Sequence, residues 1–127
     1  MVSFEAFRAV DGTPVYLQII NFIKRGAIAG TIKDGDELPS RRVLSALLGI
    51  NPNTVQKAFH ILEEEHLMES RTGAKSCMTL PPDILDALRR EVLSDELCTM
   101  ARTLRQLGIS KKEALRLIEQ AWEEEAQ

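Results

Sequence analysis

Apolar residues recur at helical spacing in several separate stretches, and most stretches are bracketed by residues that start or stop a helix. Tyr16, Ile19, Ile20, Ile23 and Ala27 form the first stripe, opened by Pro14 and closed by Gly30. Leu44, Leu47 and Leu48 follow Ser40, an N-cap type, and end at Gly49, which reverses the chain at low cost. Ser45, four residues before that glycine, is small enough to let a second helix cross closely. Asn51 and Pro52 then start a helix whose Val55, Ala58, Phe59 and Leu62 bury one face. Asn53, Thr54, Gln56, Lys57 and His60 are left pointing outward. Past Glu63-Glu64-Glu65 the period shortens, and Leu67 to Arg71 and Lys75 to Leu80 read as two short strands around Thr72-Gly73-Ala74.

The two ends follow other rules. Met1 to Gly12 carries Phe4, Phe7 and Val10 at helix-like spacing without caps, so it either docks on another surface or stays mobile. Pro81-Pro82 forms a stiff boundary, after which Leu85, Leu88 and Val92 line one side of a helix. The stripe then slips to Leu93, Leu97, Met100, Leu104 and Leu107. The slip at Ser94-Asp95-Glu96 leaves one bent helix or two short ones open. Ser110 to Glu113 is a capping box that starts a last helix with Ala114, Leu115, Ile118, Ala121 and Trp122 on its apolar face.

These elements predict a mainly α protein with a small β-wing: a winged helix-turn-helix domain over residues 1–80, then a C-terminal helical dimerisation appendage over 81–127. The stripe of Leu93, Leu97, Met100, Leu104 and Leu107, with Leu115, Ile118 and Trp122, is more apolar surface than two helices cover by folding on each other. A second copy of the chain is the simplest partner; the alternative is that the tail completes the monomer's own core.

Charge narrows the function. The chain has 19 acidic and 16 basic residues, yet Leu38 to Leu62 carries Arg41, Arg42 and Lys57 and no acid. Such segregation on an acidic protein suits a polyanion. Amides and a hydroxyl on the outward helix face offer groups to base edges, and His60 reads as a phosphate or solvent contact. Arg71 and Lys75 flank the tip of the wing, where they reach phosphates or a minor groove. The Glu run reads as a solvated helix end. Residues 83–127 hold 10 of the 19 acids and 7 of the 16 bases, so the whole net charge of −3 lies in the tail.

Other chemistry is thin. Cys77 and Cys98 have no metal spacing, and His60 and His66 lack further ligands for zinc. Asp34-Gly35-Asp36 lacks the rest of a calcium loop and reads as a turn before a short strand. With no triad, no paired carboxylates and no phosphate-binding glycine loop, an enzyme is disfavoured and no cofactor is expected. The chain has no run of 18 apolar residues and no signal pattern at its start, so a cytoplasmic protein without membrane contact is expected.

Pro14 to Ile19, Gly30 to Arg42 with its Leu38-Pro39-Ser40-Arg41-Arg42, and Asn51-Pro52-Asn53-Thr54-Val55-Gln56-Lys57-Ala58 resemble the winged-helix domain of GntR-family transcriptional regulators, over about residues 14–80. The Asn-Pro-Asn-Thr-Val run and the brief C-terminal region resemble the YtrA-like branch. The resemblance implies DNA contacts from Ser40, Arg42, Asn53, Thr54, Gln56 and Gly73, to which charge and helical position add Arg41 and Lys57. It also implies dimerisation through the tail and, from the habits of that branch, repression of a transport operon. Two departures stand out: Pro52 replaces an Arg carried by many relatives, and Gly73-Ala74-Lys75 replaces Gly-x-Gly at the wing. The function expected is therefore a sequence-specific regulator that binds an inverted repeat in double-stranded DNA as a homodimer. The alternative is a winged-helix protein-interaction module. About 45 residues of tail leave an effector no pocket except a crevice between two copies.

Overall fold

The structure, a computed structural model, describes residues 1–70 and 75–126. In order come α1 (Val15–Ala29), α2 (Arg41–Leu48), α3 (Pro52–Glu64), β1 (Met68–Glu69), β2 (Cys77–Met78), α4 (Pro82–Gln106) and α5 (Lys111–Glu125). The helix starts are built as their sequences predict. Ser40 Oγ accepts the Val43 N–H at 3.1 Å, and Asn51 Oδ1 accepts the Asn53 N–H at 2.8 Å with Pro52 at the first helical position. Gly49 closes α2 at φ 66°, the left-handed conformation that lets α3 turn back across it. Ser45 is buried, and its hydroxyl donates to the Arg42 carbonyl of its own helix at 2.9 Å.

The chain divides into two compact units, residues 1–89 and 90–127. In the first, α1 and α2 pack on α3, and Ile19, Ile23, Leu38, Leu44, Val55, Phe59 and Leu62 are fully enclosed. The N-terminal segment docks rather than floats. Val2, Phe4 and Phe7 are buried, the Val2 N–H donates to the Glu37 carbonyl at 2.7 Å, and Phe4 stacks on Phe22 with centroids 5.2 Å apart. Residues 4–10 do not form a helix despite their spacing, and Val10 is exposed, held through its backbone by the Gln18 amide.

Two local expectations are corrected. The buried face of α2 is narrower than its leucines suggest, because Leu44 is enclosed while Leu47 is 69% exposed. An eight-residue helix has room for few inward positions when one of them must be the small Ser45 at the crossing. The paired strands are shorter than the two predicted runs, with Met68 opposite Met78 and Glu69 opposite Cys77. The second run divides its hydrogen bonds between two partners. Leu38 N–H donates to the Ser76 carbonyl and Met78 N–H to the Asp36 carbonyl, with Glu37 bridged to Cys77. Asp34 and Asp36 spend carboxylate oxygens on the backbone N–H groups of Leu80 and Lys33, which accounts for acids in this turn without a cation.

The tail question is settled in favour of one helix. α4 runs unbroken through 25 residues, because no Gly or Pro interrupts it after Pro82 and a slip of the apolar stripe does not break the backbone ladder. Its Leu88 is buried. In the second unit, Leu97, Met100 and Leu104 of α4 and Leu115 and Ile118 of α5 line an open groove of about 530 Å³. No residue of α5 is buried. Ser110 caps α5 through the Glu113 N–H, but the Glu113 carboxylate does not make the return bond of a capping box; it pairs with Arg116 at 2.8 Å. The hydrogen bond and charge of Arg116 hold the Glu113 carboxyl below its ordinary range. No helix among the described residues is long and apolar enough to cross a membrane.

Candidate nucleic-acid interface

α2 and α3 leave the sequence-predicted polar residues at the surface of the first unit. Ser40, Arg42, Asn53, Gln56, Lys57 and His60 are exposed and Thr54 is half-buried. The side chains of Arg42, Asn53 and Gln56 have no hydrogen-bond or ion-pair partner among the described residues. They are therefore available to an external ligand. Lys57 is aimed rather than loose: its Nζ lies 4.0 Å from the centroid of the Tyr16 ring on α1. Tyr16 counts in the sequence as one member of a core stripe, and nothing in the spacing reveals it as a platform for a cation on another helix.

Three charged residues are placed differently from expectation. Arg41 is turned inward: its Nη2 donates to Glu63 Oε1 at 2.8 Å and its guanidinium lies 5.1 Å from the centroid of the Phe59 ring. Arg42 is thus the exposed arginine of this pair. His60 Nε2 lies 2.7 Å from Glu64 Oε1 one turn on, and Lys75 Nζ lies 3.9 Å from Glu37 Oε2. The Glu run is accordingly not a merely solvated end. Glu63 takes Arg41 and the Ser70 hydroxyl, Glu64 takes His60, and Glu65 takes Lys24 at 3.0 Å. Helical periodicity could not show the pairs of Glu63 and Glu65, whose partners come from α1, α2 and the wing stem; His60–Glu64 is an i,i+4 pair within α3 that it could have shown. Arg71 and Gly73 lie outside the described residues. No cluster of His, Cys, Asp and Glu suited to a metal ion occurs among the described residues.

Residues 15–75 match the family described as bacterial regulatory proteins, gntR family. The chain belongs to the GntR family. Two Bacillus subtilis proteins are similar to it. One is an uncharacterised HTH-type transcriptional regulator, YhcF, 29% identical over 102 residues that cover 80% of this chain and 84% of YhcF. The other is the HTH-type transcriptional repressor YtrA, 46% identical over 63 residues, half of this chain and 48% of YtrA. The chain thus spans most of YhcF and about half of YtrA, and its likeness to the latter places it in the YtrA-like branch. Among solved structures, a GntR family transcriptional regulator from Listeria monocytogenes superposes with a TM-score of 0.82 at 27% identity, covering 88% of this chain and 98% of that one. This GntR-family protein is a transcriptional regulator with a winged-helix DNA-binding domain, and its relatives are regulators rather than enzymes.

Proposed function

We propose that the protein is a repressor that binds an inverted-repeat operator as a homodimer, with α3 in the major groove and the wing on the flanking backbone. The observation that carries the reading is the exposed, unpaired set of Arg42, Asn53 and Gln56 beside the aimed Lys57. Asn and Gln offer paired donor and acceptor atoms that match an adenine edge, and the cations suit phosphates. Ser40, Thr54 and the wing cations Arg71 and Lys75 complete the proposed contact set. Repression, and control of a transport operon in particular, rest on the likeness to YtrA.

The homodimer is supported by α5. Its face of Lys111, Ala114, Leu115, Ile118, Ala121, Trp122 and Glu125 follows from 3.6 residues per turn and has no buried member, part of it lining the open groove with α4 and Trp122 76% exposed. Its charge also runs against its own dipole, with Lys111 and Lys112 in the first turn and Glu123, Glu124 and Glu125 in the last. An antiparallel copy turns that arrangement into an attraction. With Ile118 on the twofold axis, Lys111 meets Glu125 of the second copy and Trp122 meets the small Ala114. The division of labour proposed is a winged DNA-binding domain over residues 1–80 and an assembly region after it.

A salt titration of binding to duplex DNA tests the function. Each phosphate contact contributes about −0.9 to the slope of log K against log salt, so a steep negative slope is expected. A slope near zero would exclude operator binding and favour a winged-helix module that recognises protein.

A further inference from the structure

We infer that Glu63 is a positioning residue that holds the stem of the wing against the recognition helix, so that wing and helix engage DNA as one unit. The inference rests on the DNA-binding reading above. One carboxylate oxygen, Glu63 Oε1 near the C-terminal end of α3, accepts from Arg41 Nη2 of α2 at 2.8 Å and from Ser70 Oγ at 2.7 Å. Ser70 directly follows β1, and its oxygen lies 3.1 Å from that of Ser76, which directly precedes β2 and is buried. A single side chain thus joins the start of α2, the end of α3 and both arms of the stem.

The polarity and setting of the joint favour a function in alignment over one in stability. Its Arg41–Glu63 pair is about one-third exposed at each side chain, a setting in which an ion pair adds little to folding. The arginine nonetheless lies over the enclosed ring of Phe59, so it orients the Glu63 carboxylate toward Ser70 of the stem. The paired backbone of β1 and β2 covers only two residues each. Backbone bonds also tie β2 to residues 35–38 and Leu67 to Leu62 at the end of α3, and Glu63 adds a side-chain link from α3 to the point where the stem leaves β1.

Binding to random duplex DNA as a function of salt, together with hydroxyl-radical footprinting on a duplex selected from a random library, tests this in the full chain. Glu63→Ala and Ser70→Ala should each flatten the salt slope by about one to two per protomer, the contribution of the two wing cations at about 0.9 each. Both should also lose protection at the outer edges of the footprint and keep it at the centre. Ser70→Thr, which retains the hydroxyl, should restore slope and footprint. A merely structural role would lower the melting temperature and leave the slope of the folded protein unchanged. Wild-type slope and footprint in folded Ser70→Ala would overturn the inference, even if Glu63→Ala proved too unstable to measure. A wild-type protein with no salt slope would instead overturn the DNA-binding reading on which it stands.

Discussion

The unit of residues 1–89 and the unit of residues 90–127 treat the same kind of apolar stripe in opposite ways. In the first, the stripes of α1 and α3 close on each other, and Ile19, Ile23, Val55, Phe59 and Leu62 are completely hidden. In the second, an equally regular stripe on α5 hides no residue at all. Amphipathic periodicity reports that a face wants cover, and says nothing about whether the cover comes from the same chain. The contrast teaches that the winged domain is closed by its own packing, whereas the tail leaves an apolar face open, and the proposed homodimer rests on that face.

The largest effect should come from opening the first core. Phe59→Ala removes a ring with no exposure that also supports Arg41, and should cost about 3–5 kcal/mol in denaturant unfolding of the winged domain. Leu115→Ala on α5, made at low protein concentration, should leave that transition where it is; an equal loss would erase the contrast between the units.

Next in size is disruption of assembly. Leu97 and Leu104 line the open groove, and replacing both by Asp places charge where a partner's apolar surface would lie. Sedimentation should then show a folded monomer, and footprinting should show weak, salt-sensitive binding that no longer prefers an inverted repeat with half-sites about 34 Å apart. A truncation that asks the same question should end at Arg89 and not at Pro82, because Leu88 belongs to the buried set. A dimer that survives either change would move the interface out of the tail.

A smaller loss is expected at the recognition helix. Gln56→Ala should weaken binding to a selected site by about 1–3 kcal/mol and binding to random duplex by far less. Equal losses on the two DNAs would mean that Gln56 touches only backbone. The smallest expected change is a gain: His66, just past α3, is the non-glycine residue with positive φ among those described, at 62°. His66→Gly relieves that strain and should stabilise the winged domain by up to about 1 kcal/mol, read as a raised denaturation midpoint with the tail's assembly unaltered.

The sequence by itself determined the elements that depend on neighbours close along the chain. Ser40, Gly49, Asn51 and Pro52 fix where α2 and α3 begin and end, because caps and left-handed turns act within a few residues. The outward set of Asn53, Gln56 and Lys57 was legible for the same reason, since 3.6 residues per turn separates it from Val55, Ala58, Phe59 and Leu62. What only the tertiary structure decided are the choices among distant partners. Arg41 and Arg42 are equivalent as sequence, yet one is drawn in by Glu63 and Phe59, and the other is left exposed. The wing stem acquired a third strand partner at Glu37, the N-terminal segment buried Phe4 and Phe7 against α1, and the Glu run found a lysine 41 residues away. Ion pairs and strand bridges of this kind depend on distance in space, which spacing along the chain does not encode, and so they became visible only once α1, α2 and the wing had packed around α3.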